Sequence, residues 1–223
     1  MRAHLIFSLG FAFLILAYVT GAASKQPIPP AKVDAPRAVA AGKETAVFAG
    51  GCFWGTQAVF ERVKGVIKTT VGYAGGSAAT ATYDQVTTET TGHAESVEVV
   101  YDPSRITYGQ MLRIFFSVAH DPTELNRQGP DVGTSYRSAI FYTDDEQKRI
   151  ATAYIAQLDA AKVFPKRIVT ELTPLKGFYR AEDYHQDYAL KNPTSSYIQI
   201  CDLPKISALK QQFPELFVDY KGR

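Results

Sequence analysis

The chain has 223 residues, 46% hydrophobic and 21% charged, which suits one folded domain with terminal extensions and excludes a wholly disordered or fibrous protein. Its 24 basic and 22 acidic residues nearly cancel and no Lys/Arg cluster stands out, so neither nucleic acid nor an anionic membrane is expected as partner. Two cysteines are too few for a disulfide scaffold and form no Cys-x-x-Cys pair, so they either pair once or carry chemistry.

Arg2 and His4 precede an apolar run from Leu5 to Val19 that ends in Thr20, Gly21, Ala22 and Ala23, the small residues of a signal-peptidase site. Residues 1–23 therefore read as a signal peptide, with the mature protein exported to a periplasm or secreted. An uncleaved anchor is the alternative, because the run is close to the shortest that spans a bilayer. From 24 to 43 the composition shifts to Pro, Ala, Lys and Val, and Pro27, Pro29, Pro30 and Pro36 oppose regular structure, so this stretch reads as a linker. The folded domain is expected over 44–223.

Thr45 to Ala49 is a short apolar run ending in Gly50-Gly51, as for a buried strand that turns sharply. A helix follows, with Ala58, Val59, Phe60 and Val63 on or beside one face and Gly65 beyond it. Val66 to Tyr73 and Ser96 to Tyr101 are rich in β-branched and aromatic residues and read as strands. Thr107 can cap a helix whose apolar stripe is Met111, Leu112, Phe115, Phe116 and Ala119. Ala139 to Tyr142 supplies a further strand, Asp144 or Asp145 begins a helix reaching about Ala161, and Ile168 to Leu172 reads as a strand. The first six elements run strand, helix, strand, strand, helix, strand. That order predicts an α+β fold, a ferredoxin-like split βαβ core in two layers with a C-terminal extension. Two long connections, Ala74 to Glu95 and His120 to Arg137, are expected to serve function.

Cys52 stands in Gly50-Gly51-Cys52-Phe53-Trp54-Gly55, where a strand gives way to a helix. Unpaired amides at a helix start favour an anion, which is expected to lower the thiol pKa, and the glycines keep the sulfur approachable. A buried inert thiol is the alternative. Phe53 and Trp54, the latter the only tryptophan, diverge by roughly a hundred degrees on a helix, so at most one is expected to point wholly into the core. They are either core or an aromatic wall for a small apolar group beside Cys52. Gly92-His93-Ala94-Glu95 precedes one strand, with Tyr83 in the loop before it, and Asp131 to Ser138 precedes another. A carboxyl partly buried among aromatics can donate a proton near neutrality, and tyrosine hydroxyls can bind a developing oxyanion.

The run Gly51 to Gly55, the run Gly92 to Glu95, the Asp-x-Gly-x-x-Tyr-Arg-Ser pattern at 131–138, and Tyr184-His185-Gln186-Asp187-Tyr188 together resemble the peptide methionine sulfoxide reductase A family, in order and spacing. The resemblance covers about Thr45 to Asn192. It implies that Cys52 attacks the sulfoxide sulfur and keeps its oxygen as a sulfenic acid while methionine leaves. It implies Glu95 as the acid, Tyr83 and Tyr136 as hydrogen-bond donors to the oxygen, Asp131 acting through an ordered water, and Phe53 and Trp54 holding the S-methyl group. The implied substrates are methionine S-sulfoxide, free or in oxidised proteins and peptides. No bound cofactor and no metal are implied, only an external thiol reductant such as a thioredoxin-like protein or dithiothreitol. A monomer engaged in protein repair under oxidative stress is expected.

The resemblance departs at the C-terminus. Relatives that recycle through an internal disulfide carry a cysteine just after an Asn-Pro-x-Gly-Tyr segment, whereas this chain has Asn192 to Tyr197 there and its only later cysteine is Cys201. Cys201 lies in an Ile-rich stretch that reads as a strand, and it is either a resolving thiol or a buried one reduced around by an external thiol. Two other classes stay open: a cysteine hydrolase with His93 or His185 as base, and an exported binding domain with Cys52 and Cys201 in one structural disulfide.

Overall fold

The computed structural model describes residues 28–222; the expected signal segment 1–23 and the first residues of the expected linker lie outside the described residues. In chain order the elements are β1 (Glu44–Gly50), α1 (Phe53–Phe60), β2 (Val66–Ala74), the single turn α2 (Tyr83–Val86), β3 (Ala94–Tyr101) and α3 (Tyr108–Ile114), which continues as a π-helical turn over Phe115–Ala119. A two-residue hairpin, β4 (Arg127–Gln128) and β5 (Asp131–Val132), leads to β6 (Ser138–Tyr142), α4 (Asp145–Ala160), β7 (Glu171–Pro174) and β8 (Phe178–Arg180). The chain closes with α5 (Tyr188–Lys191), a π-helical turn at Ile198–Asp202 and α6 (Leu203–Gln212).

Six strands form one mixed sheet in the order β7-β6-β1-β3-β2-β8, antiparallel throughout except for β6 and β7. Period-two alternation sets its two faces. Ala46, Phe48, Val71, Tyr73, Val97, Val99, Tyr101 and Ile140 enter the main core with residues of α1, α3 and α4, while Val47, Ala49, Ala74, Ala94, Ala139 and Phe141 are covered by Leu175 and Phe178. The fold is thus α+β, as expected. Register decides where chemistry can gather: β1 pairs with β3 as Phe48↔Val97 and with β6 as Gly50↔Ser138, and β2 with β3 as Tyr73↔Glu95. Antiparallel pairing therefore brings the end of β1, the end of β2, the start of β3 and the start of β6 to one end of the sheet.

Local signals explain the helices. Thr107 accepts from Gln110 N at 3.2 Å while Gln110 Oε1 accepts from Thr107 N at 3.0 Å, a reciprocal capping box for α3. Asp144 accepts from Gln147 N at 2.8 Å and starts α4.

Three expectations are corrected. The strand expected from Ile168 begins only at Glu171, where pairing with β6 supplies partners. Cys201 is not in a strand: Ile198, Asp202, Leu209 and Phe213 are buried while Ile200 is 74% exposed, a pattern that period two forbids and a helical path allows. From residue 28 onward the Pro-rich segment lacks regular structure, as its prolines require, yet it is docked on the domain and is no loose tether. Ile28 is buried, Arg113 Nε donates to its carbonyl at 2.6 Å, and Tyr154 Oη donates to the Pro29 carbonyl at 2.7 Å. Asp34 accepts from Gly109 N at 2.8 Å and from the Thr107 hydroxyl at 2.5 Å.

Candidate active site

Cys52 is the residue before the first turn of α1 and is 8% exposed. The turn into it needs Gly51, whose φ is +83° and where a Cβ would fall 2.5 Å from the Gln128 side chain. The Trp54 backbone N–H hydrogen-bonds the sulfur, the helix-start effect expected from sequence, and the Tyr197 side chain does so from the C-terminal segment, but both are outweighed. Burial pushes the Cys52 thiol well above its ordinary value, and Glu95 and Asp202 push it further. The resting site therefore holds a thiol.

Glu95 shares the core-facing side of β3 with Val97, Val99 and Tyr101, which is why it is only 3% exposed. Its Oε2 accepts from Phe53 N at 3.0 Å, so the carboxyl is fixed to the residue that follows Cys52. Burial pushes Glu95 up to about 8, the charges of Asp131 and Glu89 add to this, and the Phe53 N–H works against it. At neutral pH the group is an acid with one oxygen committed to the backbone.

Tyr83 opens α2, and its N–H donates to Glu182 Oε1 at 2.9 Å; Tyr136 closes a short 3-10 turn before β6. Both phenols are pushed up, by burial first and then by Glu95, and both also feel Cys52 and Asp131, which places them around one centre. The loop carrying Tyr136 is pinned by Glu89, which accepts from Ser135 N at 2.7 Å and from the Ser135 and Thr134 hydroxyls at 2.7 and 3.0 Å. Arg137 ties the two motif segments together, donating to the carbonyls of Gly92 and His93 at 3.0 and 3.1 Å.

Phe53 is 1% exposed, its ring 4.9 Å from His185 and 5.9 Å from Tyr73. Trp54 is half-buried, stacked 3.7 Å from Tyr188 at 10°, with Nε1 donating to His185 Nδ1 at 3.1 Å. One ring points into the core and one does not, as the helical geometry predicted. Because Nδ1 of His185 accepts, Nε2 carries the proton of the neutral ring; it is buried and makes no hydrogen bond, with Glu182 Oε2 3.9 Å away. His93 is likewise tied to backbone, accepting from Gly76 N at 3.2 Å and donating to the Ser77 carbonyl at 2.9 Å. Neither ring serves Cys52 as a base in these contacts, and both cysteines are free thiols.

Beside Cys52 opens a groove of about 740 Å³ whose lining includes Asp131, Tyr197, Cys201, Lys205 and Gln212. Tyr197 donates to Asp131 Oδ2 at 2.5 Å, so Asp131 is held by a direct hydrogen bond. Asp202, fully buried, lies against Gly55, where a Cβ would fall 2.0 Å from its Oδ1, and it pairs with Lys205 at 3.3 Å. The structure thus brings Cys52, Phe53, Trp54, Tyr83, Glu95, Asp131 and Tyr136 together and places Cys201 on the groove wall. Tyr197, Asp202, Glu89 and Glu182 are site supports that sequence reasoning missed. Only Asp202 left a trace, as a charge within an apolar stretch.

A thiol, a buried acid, two phenols and two aromatic rings gathered at one end of the sheet form a set of groups suited to redox chemistry on an electrophilic, oxygen-bearing group. The chain matches the family described as peptide methionine sulfoxide reductase over residues 44–216. It is 60% identical over 178 residues to peptide methionine sulfoxide reductase MsrA 2 of Mesorhizobium japonicum, covering 80% of this chain and 91% of that one. It is 48% identical over 208 residues to MsrA 2 of Synechocystis sp., covering 93% and 97%. Among solved structures, methionine sulfoxide reductase A of Corynebacterium diphtheriae superposes with a TM-score of 0.60 at 39% identity, covering 75% of this chain and 82% of that one. The chain belongs to the peptide methionine sulfoxide reductase family and reduces methionine sulfoxide in peptides.

Proposed function

We propose that Cys52 attacks the sulfur of methionine S-sulfoxide, free or in oxidised proteins, while Glu95 protonates the departing oxygen. The observation that carries this reading is the Glu95–Phe53 hydrogen bond, which fixes a buried acid at the turn that bears the thiol. Cys52 gives up its proton, its sulfur donates two electrons to the sulfoxide and takes the oxygen, and methionine leaves. Cys52 is then a sulfenic acid, the reversible first stage of thiol oxidation. Tyr83 and Tyr136 hydrogen-bond the oxygen as charge develops on it. Trp54 with Phe53 receives the S-methyl group, and the indole is held for this by Tyr188 and His185. Turnover on each epimer of methionine sulfoxide with dithiothreitol tests the reading: the S epimer is consumed, and consumption of the R epimer alone would overturn it.

The return of Cys52 takes two thiols, the first forming a disulfide with loss of water and the second reducing it. A thioredoxin-like protein is the proposed donor, entering by the groove beside Cys52. Cys201 lines that groove, which favours an internal disulfide, whereas its seat in a helical turn anchored through Asp202 favours direct attack by an external thiol. Mass spectrometry after one turnover without reductant separates them. Loss of both thiols marks the internal route, and a dimedone adduct on Cys52 with Cys201 still alkylatable excludes it.

The remaining parts of the reading are these. Residues 1–23 are a signal peptide, the protein acts as a monomer outside the cytoplasm, and its work is repair of oxidised proteins. The core is a split βαβ unit, supported by the β6-β1-β3-β2 order of four antiparallel strands within the larger sheet.

A further inference from the structure

Away from the reacting groups lies a carboxyl pair, Glu61 buried and Asp187 half-buried, that the chemistry above does not use. Trp54, Gln57, Ala58 and Glu61 fall at three- and four-residue spacing along α1 and just beyond it, so they share the face on which residues 185–191 pack. Glu61 is 6% exposed and is hydrogen-bonded to the Asp187 side chain. The Thr69 hydroxyl donates to Glu61 Oε1 at 3.4 Å, and Arg62 Nη1 stands 3.5 Å from Oε2. Asp187 has a left-handed backbone, φ 56°, and its N–H donates to Gln57 Oε1 at 2.9 Å. Two carboxyls in contact persist only if one keeps a proton. Burial, with Asp187 second, pushes Glu61 up to about 9, so at neutral pH Glu61 keeps a proton that it can share with the Asp187 side chain.

The neighbours of Asp187 are the side chains that hold Trp54. His185 accepts the indole N–H and Tyr188 stacks on the ring. Between a 3-10 turn at Asp183–His185 and the single turn of α5, this backbone has little regular structure of its own. Gln186 ties it to Val71 on β2, and Gln57 with Glu61 ties it to α1. We propose that Glu61, through its hydrogen bond to Asp187, is a positioning residue for the substrate pocket, pinning the 185–188 segment to α1 and thereby fixing Trp54. The role rests on the reading of Trp54 as a wall of the methyl pocket.

When base removes the Glu61 proton, two carboxylates face each other at the edge of a cavity of about 200 Å³ lined by Glu61, Lys68, Thr69, Asp187 and Tyr220. Arg62 and Lys68 supply positive charge there, and Tyr220 donates to Asp187 at 3.4 Å. Asp187 already occupies a backbone region that costs a non-glycine residue energy, so repulsion from Glu61 releases it and the indole loses its support. Lys191, whose ammonium donates to the Gln186 carbonyl at 2.6 Å, belongs to the same segment and moves with it.

Because Trp54 is the only tryptophan, its fluorescence reads the pocket without substrate or turnover. The full-length protein titrated from neutral to strongly alkaline pH is expected to show a red shift and increased acrylamide quenching with a midpoint near pH 9. Glu61→Gln, whose amide still donates to Asp187 but cannot ionise, should hold the neutral emission across that range. Glu61→Ala should show the shifted emission at pH 7, with KM for free sulfoxide raised several-fold and kcat little changed. The other side chains against the indole, His185, Tyr188 and Tyr197, are the same in wild type and Glu61→Gln, so the difference between the two isolates Glu61. Absence of the step in wild type, or its survival in Glu61→Gln, overturns the pinning itself. A step in emission with no change in KM overturns instead the place of Trp54 in the pocket, and the positioning role with it.

Discussion

Replacing Glu95 by Gln is the most informative single change. The side chain is 3% exposed and its Oε2 already accepts from Phe53 N at 3.0 Å, so a glutamine oxygen can keep that bond and turn its amide toward the substrate oxygen. What disappears is the transferable proton. With the carboxyl pushed up to about 8, about nine in ten molecules carry that proton at pH 7 and about one in ten at pH 9. Loss of a positioned general acid slows the chemical step by roughly 10² to 10⁴, about 3 to 5 kcal/mol of barrier. The sign with pH follows from the two groups. Both enzymes need the Cys52 thiolate, whose proton is held well above the ordinary thiol value, so both speed up as pH rises. Only wild type also needs Glu95 protonated, and above about pH 8 that requirement cancels its gain. The wild-type advantage is therefore full below pH 8 and shrinks about tenfold per unit above it. Rapid-quench measurement of methionine formed in a single turnover, from pH 6 to 10, reads this directly. Equal rates for the two proteins at pH 7, or a ratio that does not change across pH 8, would refute the role of Glu95.

Cys52→Ser should fold normally by circular dichroism and lose all turnover, because a hydroxyl is far less acidic and less nucleophilic than a thiol. Asp34→Ala should lower stability by about 1 to 2 kcal/mol in urea unfolding, since it removes the acceptor for Gly109 N and the Thr107 hydroxyl at the start of α3; an unchanged midpoint would mean that the docked N-terminal segment contributes nothing. Glu61 and Glu95 rise from 4.5 to about 9 and about 8 in the fold, so the folded state keeps protons that the unfolded chain releases. Stability should therefore fall as pH rises from about 5 to 8, by up to about 1.4 kcal/mol per unit for each group, and Glu61→Gln with Glu95→Gln should flatten the slope.

Much of the site was legible because strand alternation and chain order are local signals. Glu95 falls in phase with Val97, Val99 and Tyr101, so its burial follows from the same period that identifies the strand. Gly50 and Gly51 mark the turn that delivers Cys52 to the start of α1, and Thr107 with Gln110 spells out the cap of α3. What escaped depended on distant parts of the chain. The direction of the Cys52 shift was misread because a helix start is visible in sequence, while the burial that outweighs it, with the nearby carboxyl groups of Glu95 and Asp202, is tertiary. The Ile198 to Cys201 stretch reads as a strand by propensity, but packing of Ile198 against Ala58 and Ala189 makes it helical. Pro29, Pro30 and Pro36 correctly excluded regular structure but said nothing of docking, since the contacts of Ile28, Pro29 and Asp34 are made with α3 and α4.

The central claim is that Cys52 takes the oxygen of the sulfoxide with the electrons of its own sulfur. Intact-protein mass spectrometry after one turnover with oxygen-18-labelled methionine S-sulfoxide, dimedone omitted and then added, tests it most directly. The labelled oxygen should appear once, on Cys52, with one methionine released per chain, and dimedone should remove the label by capturing that sulfur. Methionine released from a protein that carries neither the label, nor a dimedone adduct, nor a disulfide at Cys52 would contradict the account.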